Sequence, residues 1–290
     1  MRNVRVAVPN KGVMADSVLQ LLGDAGLDPR SHLGSRALEA SLGEGFDAVF
    51  VAAGNIPEFV ADRAADAGIT GWDLVCESGR ALEMRLDVEL APCRLVLAAP
   101  HESAVDAVEK IPPGARVATV FPRLTRSFLA DAGVQAEVVE VSGAVEITPR
   151  LGVADYVVDL VATGSTLRAN QLIEVATVLT SSARLVTRPS SEDAPELRAR
   201  LEALTLALGS VVQARKLRYL MANVARDRLD EVRDILPGIG GPDVVELLDG
   251  GKLIAVQAVV SLPRISATIS SLKAIGATGI VVTRIERFIP

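Results

Sequence analysis

Aromatic residues are scarce in this chain. One tryptophan, two tyrosines and six phenylalanines make up 3% of its 290 residues, so Ala, Val and Leu must fill the core. Cysteine is almost missing. Cys76 and Cys93 are only two and lack metal-ligand spacing, which argues against a disulfide framework or a zinc site. No apolar run reaches the roughly 18 residues of a membrane span. The opening MRNVRVAVPNKG has no long apolar core followed by a cleavage site, so no secretory signal is read there. Positive charge is in deficit: 30 Lys+Arg against 36 Asp+Glu leave a net charge of −6. That disfavours a nucleic-acid binder relying on overall charge, while a local basic site stays open. Low-complexity tracts and fixed-period repeats are absent as well. Together these absences point to a soluble cytoplasmic protein, with neither a membrane nor a nucleic acid as partner.

What is present is apolar content: 49% hydrophobic against 23% charged residues. Such a balance folds rather than staying disordered, and the length suits two or three modest domains. Strands are expected at residues 4–8, 35–40, 45–52, 94–99, 116–120, 137–141, 173–179 and 183–187. Helical spacing runs between them, as at Val18, Leu19, Leu21 and Leu22. Strand–helix alternation predicts an α/β fold with mostly parallel sheets. Ligands of such sheets lie outside the carboxyl ends of the strands. A long helix opens at Pro195, with Leu197, Leu201, Leu204, Leu208 and Val211 on one stripe. From about residue 217 the order becomes β-α-β-β-α-β, with a hairpin joining 244–248 to 253–261, the pattern of a ferredoxin-like domain.

Residues 146–170, EITPRLGVADYVVDLVATGSTLRAN, carry the clearest chemistry. A strand through 153–162 would place Asp155 and Asp159 on one face. Thr163, Gly164, Ser165 and Thr166 follow, and then a short helix. Strand, small polar loop and helix start present free backbone N–H groups and a positive dipole end to an anion. Gly164 permits close approach, and three hydroxyls add donors. The carboxylates suit ribose hydroxyls or a hydrated magnesium ion. The plainer alternative is an N-cap supplied by Ser165 or Thr166. Lys11 and Gly12, and Thr70, Gly71 and Asp73, also follow apparent strands, as one shared cleft requires. Trp72 could cover a base or a core edge, and a solvated turn is the alternative for Lys11.

In order, Glu146, Gly152, Ala154, Asp155, Asp159, Thr163, Gly164, Thr166, Leu167 and Asn170 match a pattern of the ATP phosphoribosyltransferase family, the first enzyme of histidine biosynthesis. The strings PNKG at 9–12, DAGITGWD at 66–73 and CRL at 93–95 resemble that family too. The resemblance implies a two-lobed periplasmic-binding-protein-like catalytic part, with lobe I at 1–94 and 181–213 and lobe II at 95–180. A ferredoxin-like regulatory domain would follow at 214–290. It implies that N1 of ATP attacks 5-phosphoribosyl 1-diphosphate and releases diphosphate, with Mg2+ as cofactor. The implied donor-binding residues are Glu146, Asp155, Asp159, Thr163, Gly164, Ser165 and Thr166. Lys11, Gly12, Thr70, Gly71 and Asp73 would line the nucleotide side, and Arg36 would face the diphosphate as the catalytic residue. No metal ligand is assigned. Histidine is implied as an inhibitor, and a homo-oligomer, dimer or hexamer, is expected. No general base is apparent, and His32 and His101 read as surface residues.

The chain departs from the family at residues 52–57, AAGNIP. Ala52 stands where an arginine is expected and Asn55 where an aspartate is. Loss of one such electrostatic contact typically costs about 10²–10³ in rate. Arg63 is a conceivable substitute. The departure leaves open a relative using the same donor with another acceptor, and a silent binding or regulatory subunit.

Overall fold

The computed structural model describes residues 2–28, 38–189, 194–236, 241–247 and 252–290. Its chain forms two compact units, Met1–Thr205 and Leu206–Pro290. Half of the expected strand at 35–40, residues 35–37, lies outside the described residues.

In the first unit β1 (Val4–Pro9) is the centre of a parallel group. Val4, Val6, Ala7 and Val8 are all buried, as a strand covered on both faces demands. It pairs in parallel with β3 (Phe46–Val51) on one side and β4 (Ala67–Gly71) on the other. β2 (Glu39–Gly43) adds an antiparallel edge to β3. α1 (Val13–Asp24) buries Ala15, Val18, Leu21 and Leu22 on one stripe. α2 (Ile56–Ala61) and α3 (Trp72–Ser78) follow β3 and β4.

A second parallel group consists of β6 (Arg116–Thr119), β7 (Glu137–Glu140) and β8 (Tyr156–Val161). α4 (Pro122–Asp131) connects β6 to β7, with proline in its first turn. Two long strands, β5 (Glu83–Pro100) and β9 (Leu172–Thr187), join the groups by antiparallel pairing. The full order is β2-β3-β1-β4-β9-β5-β8-β6-β7. The sequence suggested separate strands at 173–179 and 183–187. In the structure they are one, because Thr180 and Ser181 keep pairing, with Arg94 and Cys93. β5 is likewise longer than the expected 94–99, and register shifts interrupt it.

That register places the site. Gly71, the last residue of β4, pairs with Ala183. Val161, the last residue of β8, pairs with Arg94, and Arg94 pairs with Thr180. The carboxyl ends of both parallel groups therefore meet the same crossover, three residues of β9 apart.

α6 (Pro195–Arg215) spans the boundary between the units. Beyond it lie β10 (Leu217–Ala225), α7 (Leu229–Ile235), β11 (Asp243–Glu246), β12 (Leu253–Ser261), α8 (Ile265–Ala274) and β13 (Thr278–Arg284). Their antiparallel order is β11-β12-β10-β13, the ferredoxin-like arrangement expected. Leu220, Ala222 and Val224 alternate inward on β10, as Ile254, Val256 and Ala258 do on β12. Among the described residues no helix is long and apolar enough to cross a membrane.

Candidate active site

Residues 159–167 line a cavity of about 190 Å³ at the carboxyl end of β8. Gly164 takes φ +74°, a left-handed turn that ordinary side chains resist. α5 (Ser165–Ala169) begins at once. It is too short for much dipole, so its first-turn N–H groups, which have no intrahelical acceptor, are its offer to an anion. Thr163 Oγ1 and Ser165 Oγ lie 3.0 Å apart and share a hydrogen bond. The plain N-cap reading does not hold here, since the cap residue is Gly164 and no side chain caps the helix.

The two aspartates separate. Asp159 belongs to β8, is half-buried, and lines the cavity. Burial pushes its carboxyl above the usual carboxylate range; the Leu160 N–H opposes this and the nearby Glu146 charge adds to it. Glu146 lies in a 3-10 turn, Val145–Ile147. Asp155 lies just before β8 and does not line the cavity. Its Oδ2 accepts the Arg116 N–H at 2.8 Å, and its own N–H donates to Arg116 O at 2.8 Å. Six residues of strand separate it from the loop, about 20 Å at the rise of a strand. Asp155 thus fastens β8 to β6 at the other end of the strand.

On the other parallel group, Asn10 N–H donates to Val51 O at 2.9 Å, and Thr70 Oγ1 donates to Ala53 O at 2.9 Å. Those two bonds tie the loop after β1 to the end of β3, and the loop after β3 to β4. Lys11 and Gly12 are exposed there. Thr70, Gly71 and Asp73 are buried. The Asp73 side chain turns inward: Ser181 Oγ donates to its Oδ1 at 2.5 Å. A Cβ on Gly71 would lie 2.5 Å from that same oxygen, so glycine is needed beside it. Burial raises the thiol pKa of Cys76 and of Cys93, and the Asp73 charge adds to both; for Cys76 the Arg184 charge opposes the shift.

Arg36 and His32 lie outside the described residues. His101 is exposed, as expected. Ala52 is half-buried and Asn55 exposed in the loop after β3. Arg63 does not replace the missing arginine. It follows the far end of α2, six residues and about 9 Å of helix away.

Three cations near the crossover escaped the sequence reading. Arg94 grips Glu174 through two hydrogen bonds of 2.7 and 3.0 Å. Arg168 Nη2 donates to Thr163 O at 3.3 Å across the loop. Arg184 lies over the Trp72 ring, 4.4 Å from its centroid. Among the described residues no three carboxylate, imidazole or thiol groups gather into a cation cage.

A family model described as HisG: ATP phosphoribosyltransferase matches residues 52–210, and one described as HisG, C-terminal domain matches residues 214–287. The ATP phosphoribosyltransferase of Gemmatimonas aurantiaca is 54% identical over 293 residues, covering 99% of this chain and all of that protein. The ATP phosphoribosyltransferase of Halobacterium salinarum is 44% identical over 287 residues, with 99% and 100% covered. A chain of the ATP phosphoribosyl transferase (HisG:HisZ) complex from Thermotoga maritima superposes with a TM-score of 0.63 at 23% identity, covering 72% of this chain and 98% of its own.

Proposed function

The chain belongs to the ATP phosphoribosyltransferase family, enzymes of the first step of histidine biosynthesis, and from that premise we propose how its residues carry the reaction. N1 of ATP attacks the anomeric carbon of 5-phosphoribosyl 1-diphosphate. The bond from that carbon to the diphosphate breaks, and diphosphate leaves with the bonding pair. The observation that carries this reading is the loop at 163–166. Its left-handed Gly164 and the first amides of α5 border a cavity sized for a phosphate and part of a ribose.

In this reading the amides and the hydroxyls of Thr163, Ser165 and Thr166 hold the donor's 5-phosphate. Asp159 and Glu146 accept from the ribose hydroxyls. Asp155 supports them only through the β6–β8 pairing. Lys11, Gly12, Thr70 and Gly71 border the nucleotide, while Asp73 shapes that border from inside. Catalysis rests on positioning and on stabilising the charge of the leaving group.

Asp159 and Glu146 are the carboxylates that would help hold Mg2+ brought in with the donor. Bound, such an ion would supply charge neutralisation for the leaving diphosphate.

Lobe I at 1–94 and 181–213 and lobe II at 95–180 would hinge where β5 and β9 cross. The ferredoxin-like part, 214–290, is the regulatory domain of this proposal, with histidine as its ligand, and the chain works as a homo-oligomer. The family match over 214–287 supports that role. The direct test is turnover with ATP and the donor, followed by ultraviolet absorbance of the N1 adduct. Turnover only with another acceptor, or donor binding without turnover, overturns the assignment.

A further inference from the structure

Among the described residues the Arg184 guanidinium finds no hydrogen-bond acceptor. Its side chain is only 19% exposed. Its Nε is sealed from solvent and has no hydrogen-bond acceptor among the described residues. The nearest carboxylate oxygen, Asp87 Oδ2, stands 3.8 Å from Nε. That carboxylate is already engaged, accepting Ser182 Oγ at 2.8 and 2.9 Å and the Glu89 N–H at 2.8 Å. The partners of Arg184 are the Asp87 carboxylate at ion-pair distance and the Trp72 ring. A mostly buried guanidinium that lacks a hydrogen-bond acceptor is costly, so a ligand oxyanion would complete its surroundings.

Its position supplies the missing partner. Arg184 pairs directly with Thr70 across β4 and β9, and directly opposed residues share a sheet face. Thr70 uses that face to bond the loop at 52–55 through Ala53 O. The guanidinium carbon lies over the Trp72 ring, 4.4 Å from its centroid, a cation–π contact that holds the head group in place before any ligand arrives. It therefore stands beside the loops after β3 and β4, where Ala52 offers no charge.

We propose that Arg184 is a substrate-binding residue that pairs with a diphosphate-type oxyanion, either within the nucleotide's triphosphate or on the donor. The inference rests on the two-sided site proposed above. The guanidinium donates in-plane hydrogen bonds to two phosphate oxygens, as arginine does on planar or forked anions. It thereby supplies part of the positive charge that residue 52 lacks.

The test uses the full chain and three probes: inorganic diphosphate, ATP and 5-phosphoribosyl 1-diphosphate. Arg184→Gln should weaken diphosphate and one of the two substrates by about tenfold to hundredfold, the span of a charged hydrogen bond. The substrate that weakens identifies the source of the oxyanion. Trp72 is the sole tryptophan, so its emission should respond to diphosphate in the wild type and stay flat in Arg184→Gln. A merely structural arginine would not produce that loss of response. Unchanged affinity for all three probes overturns the inference. If Arg184→Gln does not fold, Arg184→Lys carries the test: it keeps a charge but loses the fork, and undiminished diphosphate affinity overturns the inference. Weakened donor binding in Gly164→Ala with a silent Arg184→Gln removes this inference alone. The reverse pattern removes the loop reading instead.

Discussion

Asp73 and Ser181 hold each other twice. Ser181 Oγ donates to Asp73 Oδ1 at 2.5 Å and accepts the Asp73 N–H at 3.0 Å. Both residues are buried, at 4% and 2% exposure. The pair ties the first turn of α3 to the strand where the two parallel groups meet. Ser181→Ala strands a buried carboxylate and should destabilise the chain by about 1–3 kcal/mol. Urea unfolding measures it, and a change below about 0.5 kcal/mol, as for an ordinary surface substitution, would count against the pairing.

Gly164→Ala tests the turn itself. A Cβ there would lie 3.0 Å from Arg168 Nη1, the end of a flexible side chain that can yield. The backbone cannot yield so readily, since φ +74° costs other residues roughly 1–2 kcal/mol. We expect the donor KM to rise about tenfold, by the same free energy, with little change in the KM for ATP. Equal rises in both would show that the loop does not discriminate between the substrates.

How much of this was legible follows from the residues concerned. The strand–loop–helix at 156–169 could be read because its small polar residues interrupt an apolar run. The ferredoxin-like order could be read from alternation and turns. The continuity of β9 could not, because Thr180, Ser181 and Ser182 look like a loop in sequence. In space Ser181 serves Asp73 and Ser182 serves Asp87. Nor does spacing reveal that Arg116 takes Asp155 out of the site, or that Arg184 covers Trp72. Each is a contact between distant parts of the chain.

Asp159 gives the site a pH signature. Burial, with Glu146 adding to it, raises its pKa. The folded chain therefore holds that proton to higher pH than the unfolded chain does. Between the usual carboxylate range and the raised value, stability falls as pH rises. Donor affinity runs the other way. The ionised carboxylate accepts from the ribose, so affinity should fall on acidification, starting above the usual carboxylate range. Glu146→Gln relieves the repulsion and should shift that acid limb to lower pH. Donor affinity measured against pH in both proteins decides this, and superimposable limbs would refute it.

Ala52→Arg puts back a charge that the family pattern carries. Residue 52 is half-buried and extended, directly before the turn bonded by Thr70. One well-placed electrostatic contact is worth about 10²–10³ in rate. Arg184 already stands nearby, so we expect a smaller gain in kcat, about tenfold. A variant no faster than the wild type would mean that no charge is missing at that position.

The central claim is that the amides after β8 hold the donor by its 5-phosphate. Crystals of the full chain grown with saturating 5-phosphoribosyl 1-diphosphate test it most directly. The account predicts 5-phosphate oxygens within about 3 Å of the backbone nitrogens of residues 164–166, a hydrogen-bond distance. An ordered donor bound elsewhere, with those nitrogens facing only water or other backbone, would contradict it.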